Sequence, residues 1–117
     1  MITTPTIKSR VFEVVNQIPF GKLSTNSTVG KLTGINPRVV GWILTGMTES
    51  EMNKFAWQRV VAKNGIISTL KLGPRGLLHV QLLQKEGFTI RDNQILNFQD
   101  ALKTRLLSSN NSTLDLF

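Results

Sequence analysis

The stretch Thr25-Asn26-Ser27-Thr28-Val29-Gly30-Lys31-Leu32-Thr33-Gly34-Ile35-Asn36-Pro37-Arg38-Val39-Val40-Gly41-Trp42-Ile43-Leu44-Thr45-Gly46 decides the fold. Thr25, Asn26 or Ser27 can cap a short helix, with Asn26 favoured, because a short side-chain oxygen accepts from the free N–H groups of the first turn. That helix buries Val29 and Leu32 and stops at Gly34, which tolerates a left-handed terminus. Asn36-Pro37 then supplies a cap followed by proline at the first helical position, where its missing N–H is not needed. Val39, Val40, Ile43 and Leu44 recur at helical spacing, and Gly46 closes the segment. Two short helices joined by Gly34-Ile35-Asn36 have the shape of a helix-turn-helix.

Upstream, Thr4 and Pro5 read as a cap with proline, followed by an amphipathic helix through Ile7, Val11, Val14, Val15 and Ile18 that ends before Pro19. Phe20-Gly21 makes a turn. Downstream, Phe55 to Val61 reads as extended, and Asn64-Gly65 between Val60-Val61 and Ile66-Ile67 signals a hairpin. Leu70 to Gly76 reads as an irregular loop, and Leu77 to Glu86 as a helix terminated by Gly87. Phe88 and Ile90 suggest a short strand before an Asp92-Asn93 turn, and Ala101, Leu102 and Leu106 a last helix. Ser108 to Phe117 is rich in Ser, Asn and Thr and reads as an unstructured tail. With no internal repeat and no long linker, the expectation is one domain over 1–107 and a tail over 108–117. The fold class expected is mainly α with a small β-hairpin, a winged-helix-like helix-turn-helix domain.

The chain has 117 residues, 40% of them hydrophobic, enough for one packed core. No apolar run approaches the roughly 20 residues of a membrane span, and MITTPTIKSR lacks the apolar core of a signal peptide, so a soluble intracellular protein is expected. The absence of cysteine excludes disulfides, cysteine-ligated zinc and thiolate catalysis. His79 is the only histidine, which leaves no basis for a histidine metal site or a serine triad; no cofactor is expected. The formal charge is +7, and Lys54, Arg59, Lys63, Lys71 and Arg75 lie between Asn53 and Gln84 with no acidic residue among them. Glu49, Glu51 and Glu86 flank that segment. Such clustering favours a polyanionic partner, but charge alone weighs specific DNA binding equally against a generic basic surface or a ribosome-associated protein.

Five motifs occur in one order: Ile18-Pro19-Phe20-Gly21-Lys22-Leu23-Ser24-Thr25, Asn36-Pro37-Arg38-Val39-Val40-Gly41, Trp57-Gln58-Arg59-Val60-Val61, Asn64-Gly65-Ile66-Ile67-Ser68 and Leu82-Leu83-Gln84-Lys85-Glu86-Gly87. Over about residues 7 to 90 they resemble the DNA-binding domain of the O6-alkylguanine-DNA alkyltransferases, and in particular its non-catalytic branch, the alkyltransferase-like proteins. Each motif is weak alone; five in register within one domain are not. The active family has proline, cysteine, histidine, arginine and valine where this chain has Ala56, Trp57, Gln58, Arg59 and Val60. The resemblance therefore implies no enzyme: indole cannot accept an alkyl group as a thiolate does, and an amide cannot relay the proton. Glu86 falls on the carboxylate at the end of the family's relay, although a helix-end carboxylate paired with an arginine is the favoured reading of the residue itself.

What the resemblance retains is recognition. It implies a helix-turn-helix in the minor groove of double-stranded DNA, an arginine pushed into the duplex at Arg38, and a nucleotide rotated into a pocket walled by Trp57. The DNA-binding residues expected are Arg38, Asn26, Thr25, Ser24, Pro37, Val39, Gly41 and Trp42; the lesion pocket would hold Trp57, Gln58, Arg59, Val60, Ser68 and Glu86. For Trp42 helical spacing favours the core, with a place beside the groove as the alternative, and Trp57 too could be a core residue. Lys22, Lys71 and Arg75 are weaker candidates for phosphate contacts. Asn26 stands where the family has a tyrosine that crowds the target phosphate, so either flipping is weaker here or the register slips by one residue; Ala56 in place of the family's proline loosens the backbone beside the pocket. The implied function is recognition of O6-alkylguanine and its delivery to nucleotide excision repair by a monomer, in the bacterial cytoplasm or the eukaryotic nucleus. The rivals are a helix-turn-helix regulator reading base sequence and a basic accessory protein whose DNA binding has decayed.

Overall fold

The computed structural model describes residues 6–102 and the strands at 105–107 and 113–115; for those strands and for residues 71–72 only the backbone is described. Helix α1 spans Ile7–Val15 and is capped by Thr6, whose hydroxyl accepts from the Ser9 N–H at 3.0 Å. Thr4 and Pro5, expected to make that cap, lie outside the described residues. Val11, Phe12, Val14 and Val15 are buried, so the apolar stripe expected for α1 does face the core.

Strand β1 (Ser24–Thr25) leads into α2 (Asn26–Thr33), then α3 (Pro37–Thr45). Thr25, not the favoured Asn26, caps α2, its hydroxyl accepting from the Thr28 N–H at 3.1 Å. Asn36 caps α3 with Pro37 in the first turn, and Gly34 ends α2 at φ 73°, as the sequence predicts. Residue 30 must be small, because a Cβ there would lie 2.6 Å from the Ile35 carbonyl and 3.3 Å from Pro37 Cγ. The close approach of the two helices depends on that glycine.

The segment Phe55 to Val61, expected to be extended, is broken. Helix α4 (Glu49–Lys54) precedes it, capped by a reciprocal box between Thr48 and Glu51. A 3-10 turn covers Trp57–Arg59, and only β2 (Val60–Val61) is strand. β2 pairs in parallel with β1, Ser24 opposite Val60 and Thr25 opposite Val61. The Asn64-Gly65 turn forms, with φ 64° and 79°, but no hairpin ladder follows. Ile66 bridges to Gln94 instead, and the Ile67 N–H donates to the Asn93 carbonyl at 2.9 Å. One cross-turn bond remains, from the Ala62 N–H to the Ile66 carbonyl at 3.0 Å, and beyond it the later segment takes over.

Helix α5 spans Pro74–Lys85, so the expected loop over Leu70 to Gly76 is in fact a 3-10 turn (Ser68–Leu72) running straight into a helix that starts at proline. Gly87, at φ 95°, follows its end. The turn at Asp92-Asn93 joins β3 (Ile90–Arg91) to β4 (Gln94–Ile95), antiparallel. The last helix, α6, covers only Phe98–Ala101, and Leu106, expected within it, lies in β5 (Arg105–Leu107). β5 pairs antiparallel with β6 (Thr113–Asp115). The rest of the segment expected to be a tail, 108–112 and 116–117, lies outside the described residues.

Two apolar clusters result. One joins α1, α2 and α3 through Val11, Phe12, Val15, Val29, Leu32, Val40 and Leu44, and closes on Trp57 and Val60. The other gathers Leu23, Val61, Ile67 and Leu83 with Ile95, Phe98 and Ala101. Residues beyond 90, which carry no motif, therefore buttress the strand β2 and the turn after it. The domain is mainly helical with a little sheet, a helix-turn-helix fold as expected. No helix among the described residues is long and apolar enough to cross a membrane.

Gly76 gives a sharp test of this packing. On helix propensity alone, Gly76→Ala should stabilise the chain by about 1 kcal/mol. A Cβ at residue 76, however, would lie 2.4 Å from Leu70 Cα and 2.5 Å from the Thr69 carbonyl, both backbone. We expect Gly76→Ala to destabilise by about 1–3 kcal/mol in urea unfolding; a stabilised variant would refute the close contact of α5 with the preceding turn.

Candidate nucleic-acid interface and adjoining cavity

The helix-turn-helix presents a basic face. From Val14 to Thr48 there is no acidic residue, while Lys22, Lys31 and Arg38 are all present and exposed. Arg38 lies in the first turn of α3, where the helix dipole also favours anions. Pro37 is exposed beside it and Val39 is half-buried. Trp42, for which helical spacing favours the core, is 65% exposed. The core side of α3 is filled by Val40 and Leu44, which leaves no place for an indole.

Of the expected contacts, Ser24 turns inward and Thr25 is half-buried. Ser24 is 1% exposed and its hydroxyl is enclosed, so it cannot reach a phosphate from this position. Thr25 uses its hydroxyl to cap α2. Asn26, in the first turn of α2, points across to α3, its Nδ2 standing 3.6 Å from where a Cβ of Gly41 would be.

Behind this face, the 3-10 turn Trp57–Arg59 is fixed by a buried carboxylate. Glu86, at the end of α5, accepts from Arg59 Nε at 2.9 and 3.0 Å, from Gln58 Nε2 at 2.9 Å and from the Gly21 N–H at 2.8 Å. The Arg59 guanidinium also donates to the Ile18 carbonyl at 2.8 Å. The Glu86 side chain is 3% exposed and that of Arg59 17%, so this ion pair is shielded and fully hydrogen-bonded. Glu86 is thus paired with an arginine, as favoured, and Gln58 takes part as a hydrogen-bond donor.

Trp57 is 2% exposed. The Arg75 guanidinium stands 4.6 Å from its ring centroid and donates to the Thr45 carbonyl at 3.1 Å and to the Leu44 carbonyl. Arg75 was a candidate phosphate contact from its loop-like sequence; the structure commits it instead to the C-terminal end of α3. Burial pulls its pKa down from the usual arginine value. Of Lys71, the companion candidate, the side chain lies outside the described residues.

His79, to which the sequence assigns no role, completes the arrangement. Its ring is 4.8 Å from that of Trp57, Nε2 is 2.8 Å from the Gln58 carbonyl and Nδ1 is 2.7 Å from Thr69 Oγ1. A carbonyl only accepts, so Nε2 carries the proton and Nδ1 accepts from the Thr69 hydroxyl. Nothing local in the sequence marks this histidine, because its partners come from distant turns. Trp57, Val60, Ser68, Thr69 and His79 line one small cavity with Asn26 and Gly41 of the helix-turn-helix; its volume is about 40 Å³. Arg59 and Glu86 lie outside that lining. Trp57 and Gln58 also line a wider groove of about 490 Å³ between α4 and α5, with Met52, Phe55, Leu78 and Leu82.

A helix-turn-helix with an arginine at the head of its second helix, backed by a tryptophan turn clamped to a helix-end glutamate, defines a DNA-binding-domain architecture. The chain belongs to the family of the 6-O-methylguanine DNA methyltransferase DNA-binding domain, whose model matches residues 6–88. It is similar to S. pombe Atl1 solved in complex with damaged DNA containing O6-carboxymethylguanine, with a TM-score of 0.73 and 21% identity over 87% of this chain and 98% of that one. A second structure, S. pombe ATL in complex with DNA, matches with the same TM-score, identity and coverage. No curated protein sequence matches the chain.

Burial pushes the His79 pKa down to about 4, against the hydrogen bond to Gln58, which works the other way. The unfolded chain therefore binds this proton more readily than the folded one. The stability contributed by neutral His79 is complete above about pH 6.5 and is lost as pH falls toward 4, a loss of about 3 kcal/mol. Urea unfolding at pH 7 and pH 4 should show that extra loss in the native chain and its absence in His79→Gln; identical losses would contradict a buried neutral imidazole.

Proposed function

We propose that the protein is a non-enzymatic sensor of DNA damage that binds O6-alkylguanine in double-stranded DNA through the minor groove. In this reading Arg38 enters the duplex and fills the gap left by a nucleotide rotated toward Trp57. Pro37, Val39, Gly41, Thr25 and Asn26 shape the groove-facing surface around it. The observation that carries the reading is the shared cavity: Asn26 and Gly41 of the helix-turn-helix and Trp57 and Ser68 of the motif turns line one space. Groove contact and base pocket are therefore mechanically adjacent. The Atl1 structure supports the lesion class, since its DNA contains O6-carboxymethylguanine.

At about 40 Å³ the cavity has room for little more than one water. A guanine enters only if its walls part. The Ser68–Leu72 turn, which supplies Ser68 and Thr69 to the lining, is held to α5 by the Thr69–His79 hydrogen bond and by the close approach of Gly76 to Leu70. Asn26 is too short to crowd the target phosphate, so Arg38 carries more of the work of stabilising the rotated state. With no thiol in the chain, the alkyl group stays on the DNA, and we propose that the monomer marks the site for nucleotide excision repair.

Arg38→Ala removes both the filler and one charge, whereas Lys22→Ala removes only a charge. The first should abolish most of the preference for O6-methylguanine over guanine and suppress the signal of a 2-aminopurine reporter at the rotated position. The second should weaken both duplexes about equally. If Arg38→Ala lowers both affinities by one factor and leaves the reporter unchanged, Arg38 is a phosphate contact and the flipping mechanism fails. Mass spectrometry after incubation with an alkylated duplex should show unmodified protein; a covalent alkyl adduct would contradict the sensor reading.

A further inference from the structure

Trp42 is the largest side chain on the groove-facing helix and has no place in the pocket just described. It is 65% exposed on α3, while Val40 and Leu44 on either side of it are buried. A solvent-facing indole on an otherwise well-packed helix loses the burial that normally stabilises tryptophan. We infer that Trp42 is an aromatic wedge that stacks into the duplex beside Arg38 and bends it, an inference that rests on the DNA-binding reading above.

The placement favours DNA over other occupants of this face. Trp42 follows Arg38 by four residues, so the two side chains share one face of α3 about one turn apart. That separation is about 6 Å of helix rise, close to two base steps of about 3.4 Å. A helix lying along the groove with Arg38 at the rotated nucleotide therefore presents Trp42 to a neighbouring step. The charge is complementary: no acidic residue occurs from Val14 to Thr48, and Lys22, Lys31 and Arg38 precede the indole within that stretch. Proteins that bind the minor groove insert apolar side chains between base steps and unstack them. Indole is well suited, since every base offers it a π-face. Trp57 cannot take this part, because it is buried beneath Arg75.

The full chain, titrated with a duplex carrying dyes at its two ends, tests this. Free protein should show one acrylamide-accessible tryptophan, and saturating duplex should protect it and quench its emission. Trp42→Ala should bind about tenfold more weakly and leave the end-to-end dye distance near that of free duplex. Trp42→Phe, which keeps a ring, should restore most of the bend. Native-like urea unfolding of Trp42→Ala is expected from its exposure and separates lost contact from lost fold. The inference is overturned if the duplex binds while Trp42 stays accessible, or if Trp42→Ala bends DNA as the native chain does; DNA binding itself then stands. Protection of Trp42 by raising protein concentration without DNA would assign the face to a second copy and overturn it as well. Failure to bind either duplex overturns both readings.

Discussion

One buried carboxylate organises much of this molecule. Glu86 ends α5 and gathers donors from Gly21, Gln58 and Arg59, while Arg59 continues to the Ile18 carbonyl. The turn after α1, the Trp57 turn and the last turn of α5 are thereby tied at one point. A 3% exposed carboxylate is tolerable only when it is paired and fully hydrogen-bonded, so the three segments stand or fall together. The position that ends a proton relay in the resembling enzymes is here a structural clamp, because Gln58 donates a hydrogen bond and has no proton to pass.

The clamp fixes Trp57, and Trp57 fixes the relation between recognition and pocket. Arg75 stacks on the indole and holds the carbonyls of Leu44 and Thr45, so the C-terminal end of α3 is attached to the Trp57 turn. Arg75 uses its charge inside the protein, which leaves Arg38, Lys22 and Lys31 as the cations this face offers to phosphate. Arg38 stands at the head of α3, where the helix dipole adds to the charge of its guanidinium.

Local signals were legible in the sequence wherever the chain satisfies its own backbone. Asn36-Pro37, Gly34, Gly46 and Gly87 mark helix ends through capping and left-handed geometry, and these held. Thr48 and Glu51 carry an equally local capping box, a signal for α4 that the reading of the sequence does not use. Other features needed distant partners. β2 pairs with β1 rather than with its neighbour across Asn64-Gly65, and the Ile67 N–H is taken by Asn93 in the turn before β4. Trp42 is exposed against its helical spacing because Val40 and Leu44 already fill the core side of α3. His79 has no sequence signature, its role arising only when Thr69 and Gln58 meet it.

The central claim is that this basic helix-turn-helix reads one modified base and not a sequence. A competition titration at physiological salt, with matched duplexes differing only in guanine or O6-methylguanine at one position, addresses it most directly. The account predicts tighter binding to the modified duplex by about tenfold, equivalent to 1.4 kcal/mol, retained when the flanking bases are exchanged. Equal affinity for the two duplexes, or an affinity that follows the flanking sequence and ignores the alkyl group, would contradict it.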